Sequence, residues 1–288
     1  MILVDFNQVL ISNIMSQIHS NPNAELNENL IRHMVLSSVL YYKRRFGENY
    51  GELVFCADSK KNWRKDVFKY YKANRKKMRD KSDFDWILIF DTLDKIKDEL
   101  KTFFPYKLIE VEGAEADDII AVICDRVSED ERVLILSSDK DFLQLHKNDN
   151  VFQYSPIQKK MLSTRDPKAY LYEHIIRGDS GDGVPNFLSG DDVFVDENKR
   201  QKPLRTKKVK EWLELIKECG PECIFENDDM SRNWYRNQTV IDLSQVPEKI
   251  ENKILDEFEK SPNGERRFLL KYFIKNRLKN LMESIQEF

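Results

Sequence analysis

Apolar residues in this chain occur in two kinds of run, and their alternation predicts the architecture. Short, nearly uninterrupted runs appear at ILVDF (2–6), LVFCAD (53–58), YKLIEV (106–111) and VLILSSD (133–139). Runs apolar on both faces suit buried parallel strands. Between them lie stretches with apolar residues at helical spacing. These are residues 25–46, ending ahead of Gly47, residues 84–104, and the segment opened by EADD at 115–118. Carboxylates in that last first turn face the unpaired N–H groups of a helix start. The alternation over residues 1–155 predicts βαβ units, hence an α/β fold with a mostly parallel central sheet flanked by helices. Beyond Ser155-Pro156 no further strand runs occur, residues 166–177 have a helical pattern, and residues 264–285 form one amphipathic helix whose stripe packs on the protein. The expected organisation is an α/β domain over 1–164 and an all-helical domain over 165–288.

Three of the predicted strands end in an aspartate: Asp5, Asp58 and Asp139. A parallel sheet gathers its strand C-termini at one edge, where ligands of open α/β sheets bind. Asp141 lies two residues beyond Asp139 and points the same way if the chain stays extended. Glu115, Asp117 and Asp118 begin the intervening helix. Taken singly, EADD caps a helix and DKD makes a turn. Flanking one helix–strand unit together, they favour a carboxylate metal site. Mutual repulsion would raise the acids' pKa values and destabilise the fold unless divalent cations neutralise them. Oxygen-only ligands favour Mg²⁺ or Mn²⁺ over zinc.

Overall charge adds little, since the net value of the 288 residues is −3. Its distribution adds more, because residues 60–81 hold eleven Lys/Arg against two Asp. Trp63, Phe68, Tyr70 and Tyr71 interleave with that charge. Either this is a solvated linker helix, or it is an electrostatic funnel with stacking aromatics for single-stranded nucleic acid. Eleven like charges with so few apolar residues predict a segment 60–82 that is mobile alone and ordered by substrate. KRQKPLRTKKVK (199–210) is a second basic stretch, with seven basic residues and no acid. Cys56, Cys124, Cys219 and Cys223 do not form a disulfide framework, and the spacing of the last two does not suit zinc. The chain opens on a strand pattern without a charged-then-apolar leader, and no apolar run reaches membrane-spanning length. A cytoplasmic protein without a membrane partner is expected.

Six pieces carry a resemblance: VDFN with Asp5, FCAD with Asp58, WRKDVFKYYKANR, EADD, SSDKDFLQL and RGDSGDGVPN (177–186). Spread in order over residues 2–186, they resemble the 5′-nuclease (flap endonuclease-like) superfamily, in particular its T-even-type phage ribonuclease H branch; the final SIQEF is similar too. The last of the six resembles the opening of that family's helix–three-turn–helix. The resemblance implies a two-metal phosphodiester hydrolase using two Mg²⁺, with Mn²⁺ as a substitute. It places Asp5, Asp58, Glu115, Asp117 and Asp139 in a first metal cluster. Asp118, Asp141, Asp179 and Asp182 fall in a second cluster or its water shell. Lys72 and Arg75 match a basic pair near the scissile phosphate, Arg64 another basic position, and Tyr71 a seat for a stacked base. Trp63, Lys76, Lys77, Gly181, Gly183, Arg205, Lys207, Lys208 and Lys210 are the expected nucleic-acid contacts. Asp179 and Asp182, three apart, would share one face of a helical turn. His19, His33, His146 and His174 match no motif and read as structural or surface residues.

The chain departs from the family after Pro185, where NFLSGDDVF replaces a second glycine-rich turn, which puts in doubt a monovalent-ion site there. The implied activity is a 5′→3′ exonuclease with ribonuclease H and 5′-flap endonuclease action, removing RNA primers from lagging-strand fragments. The implied partners are 5′-flap or forked DNA and RNA–DNA hybrid, with a single-stranded-DNA-binding protein and a sliding clamp of the replisome, and a monomer is expected. The alternatives are a non-catalytic nucleic-acid-binding module of the same fold and a PIN-type ribonuclease acting on single-stranded RNA. The complete set of acids argues against the first, and the turn at 178–185 against the second. A haloacid-dehalogenase-type phosphatase would need Asp-x-Asp after the first strand, which VDFN lacks.

Overall fold

The structure is a computed structural model, described for residues 1–20, 26–75 and 84–288. Its six strands are β1 (Ile2–Asp5), β2 (Leu53–Cys56), β3 (Lys107–Ile109), β4 (Val133–Leu136), β5 (Val151–Ser155) and β6 (Lys160–Leu162). They form one sheet in the order β3-β2-β1-β4-β5-β6. The first five run parallel, and β6 pairs antiparallel with β5. Asp5 stands opposite Cys56, and Val4 opposite Leu136. The chain therefore leaves β1, β2 and β4 at the same edge, at the point where the strand order reverses and a crevice opens between crossover connections.

Successive strand side chains alternate between the two faces. Val4, Phe55, Leu134 and Leu136 pack with α1 (Phe6–Ser20), α2 (Glu28–Tyr50) and α4 (Trp86–Phe103). Leu3, Val54, Cys56 and Ile135 pack with α5 (Ala116–Val127) on the other face. A third core joins Phe68 and Tyr71 to α6 (Pro167–Arg177), α7 (Thr206–Cys219) and α8 (Asp228–Ile241). The short α3 (Arg64–Val67) precedes Phe68. Leu243 and Ile254, the latter on α9 (Glu248–Glu259), return to the second face, while Leu269, Tyr272, Phe273 and Phe288 complete the first. A division at 164/165 is thus a proposal about chain order, because packing crosses it in both directions. Among the described residues no helix is long and apolar enough to cross a membrane.

Four local expectations are corrected. The helix expected to stop at Gly47 continues to Tyr50 and ends at Gly51, whose φ of 88° takes the left-handed region and whose N–H donates to Gly47 O. The helix expected over 264–285 is broken into α10 (Leu269–Lys275) and α11 (Lys279–Met282), with Arg277 at φ 56° between them. At about 3.6 residues per turn, an unbroken helix would point Leu278 half a revolution away from Leu269, yet both are buried in the same core. Cys219 and Cys223, expected to be unpaired, are joined across the end of α7, while Cys56 and Cys124 are free and buried. The basic segment was expected to lack packing, but in its described part Trp63, Phe68 and Tyr71 are buried. They find apolar partners that local composition does not reveal. Lys76 and Lys77, with the rest of 76–83, lie outside the described residues.

Candidate active site

The three strand ends deliver their aspartates as the parallel order requires, and local hydrogen bonds aim each one. Asp5 accepts from Gln8 N–H at the start of α1 (3.2 Å) and from Ser137 Oγ beyond β4 (2.9 Å). Asp58 accepts from Asn7 Nδ2 (2.9 Å) and from Ala116 N–H (2.8 Å), which fastens the β2 end to the N-terminus of α5. Asp139 accepts from Asp141 N–H (3.0 Å). That contact folds the DKD sequence into a turn and starts a 3₁₀ helix at Asp141–Lys147, so the two aspartates do not alternate along an extended strand as expected.

Asp5, Asp58, Asp117, Asp139 and Asp182 line one cavity of about 760 Å³, together with Lys72 and Arg75. The cations arrive through two interlocked turns. Lys72 has a left-handed φ of 56°, held by donation of its N–H to Asp182 O (2.7 Å). Asn74 Nδ2 donates to Ser180 O (2.7 Å). Gly183, φ 71°, lies so near that a Cβ there would stand 3.1 Å from Tyr70 O, and a Cβ on Gly178 would stand 2.4 Å from Val184 O. The turn therefore requires glycine at both ends. Gly181 is exposed at its tip and borders the same cavity.

Lys72 Nζ pairs with Glu115 and reaches Asp182 Oδ2 at 3.5 Å, and Arg75 pairs with Asp182. Burial alone would raise the Asp182 carboxyl, but Lys72 and Arg75 overcome it and hold it low. Glu115 follows the same pattern, with Lys72 and Arg64 outweighing its burial. The acids without such partners go the other way. Burial, the neighbouring Asp58 and Asp139 push Asp5 up to about 7. Burial and nearby carboxylates also raise Asp117, Asp139 and Asp141, against the pull of Lys72 on the first two. The site is short of positive charge.

His174, read from the sequence as structural or surface, stands beside the acids. Its Nδ1 is 3.3 Å from Asp141 Oδ1 and its Nε2 3.8 Å from Asp179 Oδ2, with the side chain 15% exposed. Asp141, His174 and Asp179 could hold a metal ion, offering one donor atom each, all within 4.8 Å of one another. The signal that could have found it is position. His174 lies in the last turn of the helix that runs into RGDSGDGVPN, on the side that meets the 3₁₀ segment after Asp139. Asp179 and Asp182 do not share a helical face, because α6 ends at Arg177 and both sit in the turn that follows. Asp179 faces His174, and Asp182 faces the cations.

Four assigned roles are corrected by burial. Arg64, expected near the phosphate, is 1% exposed, ion-paired with Asp118 (2.8 Å) and Glu115 (3.2 Å), and donates to Val240 O (2.9 Å). Asp118, expected at a metal, is 0% exposed and accepts from Arg64, from Trp63 Nε1 (3.1 Å) and from Glu115 N–H (2.9 Å) in a reciprocal cap of α5. Trp63 is therefore occupied inside the protein and offers no face to nucleic acid. Tyr71, expected to stack on a base, is buried, with its hydroxyl 3.0 Å from Glu115 Oε2 and 2.9 Å from Asp182 Oδ2. It links the two cation-bound acids and positions them. Arg205, Lys207, Lys208 and Lys210 are exposed around the start of α7, well separated in sequence from this cavity's lining.

Residues 5–173 match the family model described as 5′-3′ exonuclease, N-terminal resolvase-like domain, and residues 166–288 match that described as T4 RNase H, C terminal. The chain is 32% identical over 294 residues to a ribonuclease H of Enterobacteria phage T4, spanning 99% of this chain and 95% of the relative. It is 31% identical over 142 residues to a 5′-3′ exonuclease of Buchnera aphidicola from Acyrthosiphon pisum, 46% of each chain. A crystal structure of the bacteriophage T5 flap endonuclease with DNA and metal ions superposes with a TM-score of 0.64 over 90% of this chain and 99% of that one. At 18% identity that likeness speaks to the fold.

Two consequences are measurable. A buried ion pair broken on one side leaves an uncompensated charge, so Arg64→Met should cost about 3–5 kcal/mol of folding free energy in urea titrations. Unchanged stability with collapsed turnover would return Arg64 to the phosphate. The Asp5 carboxyl, raised in the folded state to about 7 from 3.8, binds its proton more tightly folded than unfolded. Metal-free protein should therefore lose stability as pH rises from about 4 to 7, Asp5 contributing on the order of 4 kcal/mol. Asp5→Asn should flatten that slope in chelator, and an equally steep slope in the variant would place the repulsion elsewhere.

Proposed function

This chain belongs to the 5′-3′ exonuclease family, with a ribonuclease H-type C-terminal part, and from that premise we propose that it is a Mg²⁺-dependent 5′-nuclease of DNA replication. As a nuclease it hydrolyses phosphodiester bonds and depends on divalent metal. In the finer reading it removes RNA primers and adjacent DNA from the 5′ ends of lagging-strand fragments, and cuts 5′ flaps, in the cytoplasm of the cell where replication occurs. The observation that carries it is the single cavity in which five aspartates stand with Lys72 and Arg75.

The donor set fits divalent cations on electrostatic grounds. Asp5, Asp117, Asp139 and Asp141 are pushed above their ordinary range by burial and one another, which marks a site built for more positive charge than the protein supplies. Asp5, Asp58, Asp117 and Asp139 would hold one ion, and oxygen donors of this kind suit Mg²⁺. Asp141, Asp179 and His174 would hold the second, where an imidazole donor also admits Mn²⁺. Bound there, such ions lower the pKa of water and offset charge on the phosphate.

The protein's own groups do the remaining work. Lys72 and Arg75 now rest on Glu115 and Asp182, and a substrate phosphate entering the cavity meets the same ammonium and guanidinium. Tyr71 holds the two acids in place from behind, so the cations stay at the cavity wall when they turn toward phosphate oxygens. Charge fixed in advance at the reacting centre stabilises the transition state without reorganisation. Arg205, Lys207, Lys208 and Lys210 supply a separate exposed patch for the duplex phosphates.

A 5′-labelled flap DNA and an RNA–DNA hybrid, each with Mg²⁺ and then with EDTA, test the reading. Both should be cut only with metal. Asp139→Asn should abolish cleavage with the fold intact, and Lys72→Ala should slow it roughly one hundredfold, the scale of one lost transition-state contact. Wild-type turnover by Asp139→Asn would reject the site, and loss of affinity alone in Lys72→Ala would reject the role given to that lysine.

A further inference from the structure

The cavity that holds the acids and cations has a wall that neither metal nor phosphate chemistry uses. Ile11, Trp86 and Phe90 line it beside Asp5, Lys72 and Arg75. Trp86 and Phe90 stand one turn apart on α4, with ring centroids 5.7 Å apart and planes inclined by 26°, a stacked pair. Phe84 meets Trp86 edge-on at 6.0 Å. Both rings are half-buried, and Trp86 packs on the first sheet core. Trp86 is anchored from behind, Phe90 stacks on it, and both line the cavity. Its volume of about 760 Å³ lies in the range of about 300–1,000 Å³ that takes a small organic ligand.

The anionic oxygens of a phosphate gain nothing from an aromatic face, whose quadrupole is negative. A nucleobase does, because every base has a π-face that stacks on Trp or Phe without regard to its identity. The phosphate of a nucleotide held by Lys72 and Arg75 brings its base within the same cavity. A base inside a duplex has both faces covered, so only an unpaired one can use this wall. Tyr71, the expected partner for such a base, is buried and committed to Glu115 and Asp182. We propose that Trp86 and Phe90 seat an unpaired nucleobase attached to the cleaved phosphate, so that the strand is selected for being single at that point. This rests on the nuclease reading above and names the part of the substrate its cavity takes.

The test uses the full chain and a 5′-flap DNA carrying 2-aminopurine at one position at a time across the junction, with Ca²⁺ replacing Mg²⁺. Fluorescence should be quenched at one or two positions flanking the scissile bond, and the Trp86→Ala/Phe90→Ala double variant should abolish that quenching. Trp86→Phe, which keeps a ring and the packing behind it, should retain it. With Mg²⁺, an abasic nucleotide at the same position should lower wild-type kcat/KM by about 5- to 100-fold, the scale of one lost stack. The double variant should show the same loss on intact DNA and no further loss on abasic DNA. Quenching that survives the double variant, or abasic and variant losses that multiply, would overturn the seat. Cleavage of flap DNA by wild type with no dependence on the base would also overturn it while leaving the nuclease reading standing. Failure of wild type to cut flaps at all would instead remove the reading on which it rests.

Discussion

Repulsion among carboxylates is the constraint on which this structure turns. A parallel sheet in the order 3-2-1-4-5 sends Asp5, Asp58 and Asp139 to one edge, and α5 and the turn after α6 add Asp117, Asp179 and Asp182. Partial burial limits the water that would screen them. The fold answers with three cations of different standing. Arg64 is sealed inside with Asp118, where it closes the N-terminus of α5 and serves architecture. Lys72 and Arg75 stand at the cavity wall and neutralise Glu115 and Asp182. Burial first, and then neighbouring carboxylates, raise the proton affinity of Asp5, Asp117 and Asp141, with which no described lysine or arginine forms an ion pair.

That division explains why the C-terminal part is bound so closely to the acid edge. The turn at 178–184 carries Asp179 and Asp182 and also fixes the backbone of Lys72 through Asp182 O and that of Asn74 through Ser180 O. Phe68 and Tyr71 reach into the helical core to hold the other side of the same junction. Cation and acid are delivered by one interlocked unit, so neither can shift without the other.

Much of this was legible in the sequence, for identifiable reasons. Strand and helix periodicity gave the four strands β1 to β4, and aspartates at strand ends announced the edge, because both signals are local; β5 was not named, and β6 lies beyond Ser155, where no strand run was expected. Trp63, Arg64 and Tyr71 were misplaced because basic and aromatic residues interleaved in a polar stretch look exposed, while their partners, Asp118, Glu115 and Val240 O, lie 44 to 176 residues away. His174 was passed over because its neighbours Asp141 and Asp179 come together only when α6 packs on the 3₁₀ segment. Trp86 and Phe90 read as ordinary helix residues, since a sequence shows a helical face without showing which cavity it borders. The break at Arg277 followed from a burial demand that spans the whole molecule.

The acid edge is electrostatically incomplete until divalent cations bind. Calorimetric titration of the metal-free protein with Mg²⁺ at pH 7, repeated in buffers of different ionisation enthalpy, measures this directly. Two ions per chain and net proton release are expected, because the Asp5 carboxyl, pushed up to about 7 by burial and its neighbours, must ionise to accept a cation. Binding without proton release, or no binding at all, would contradict it.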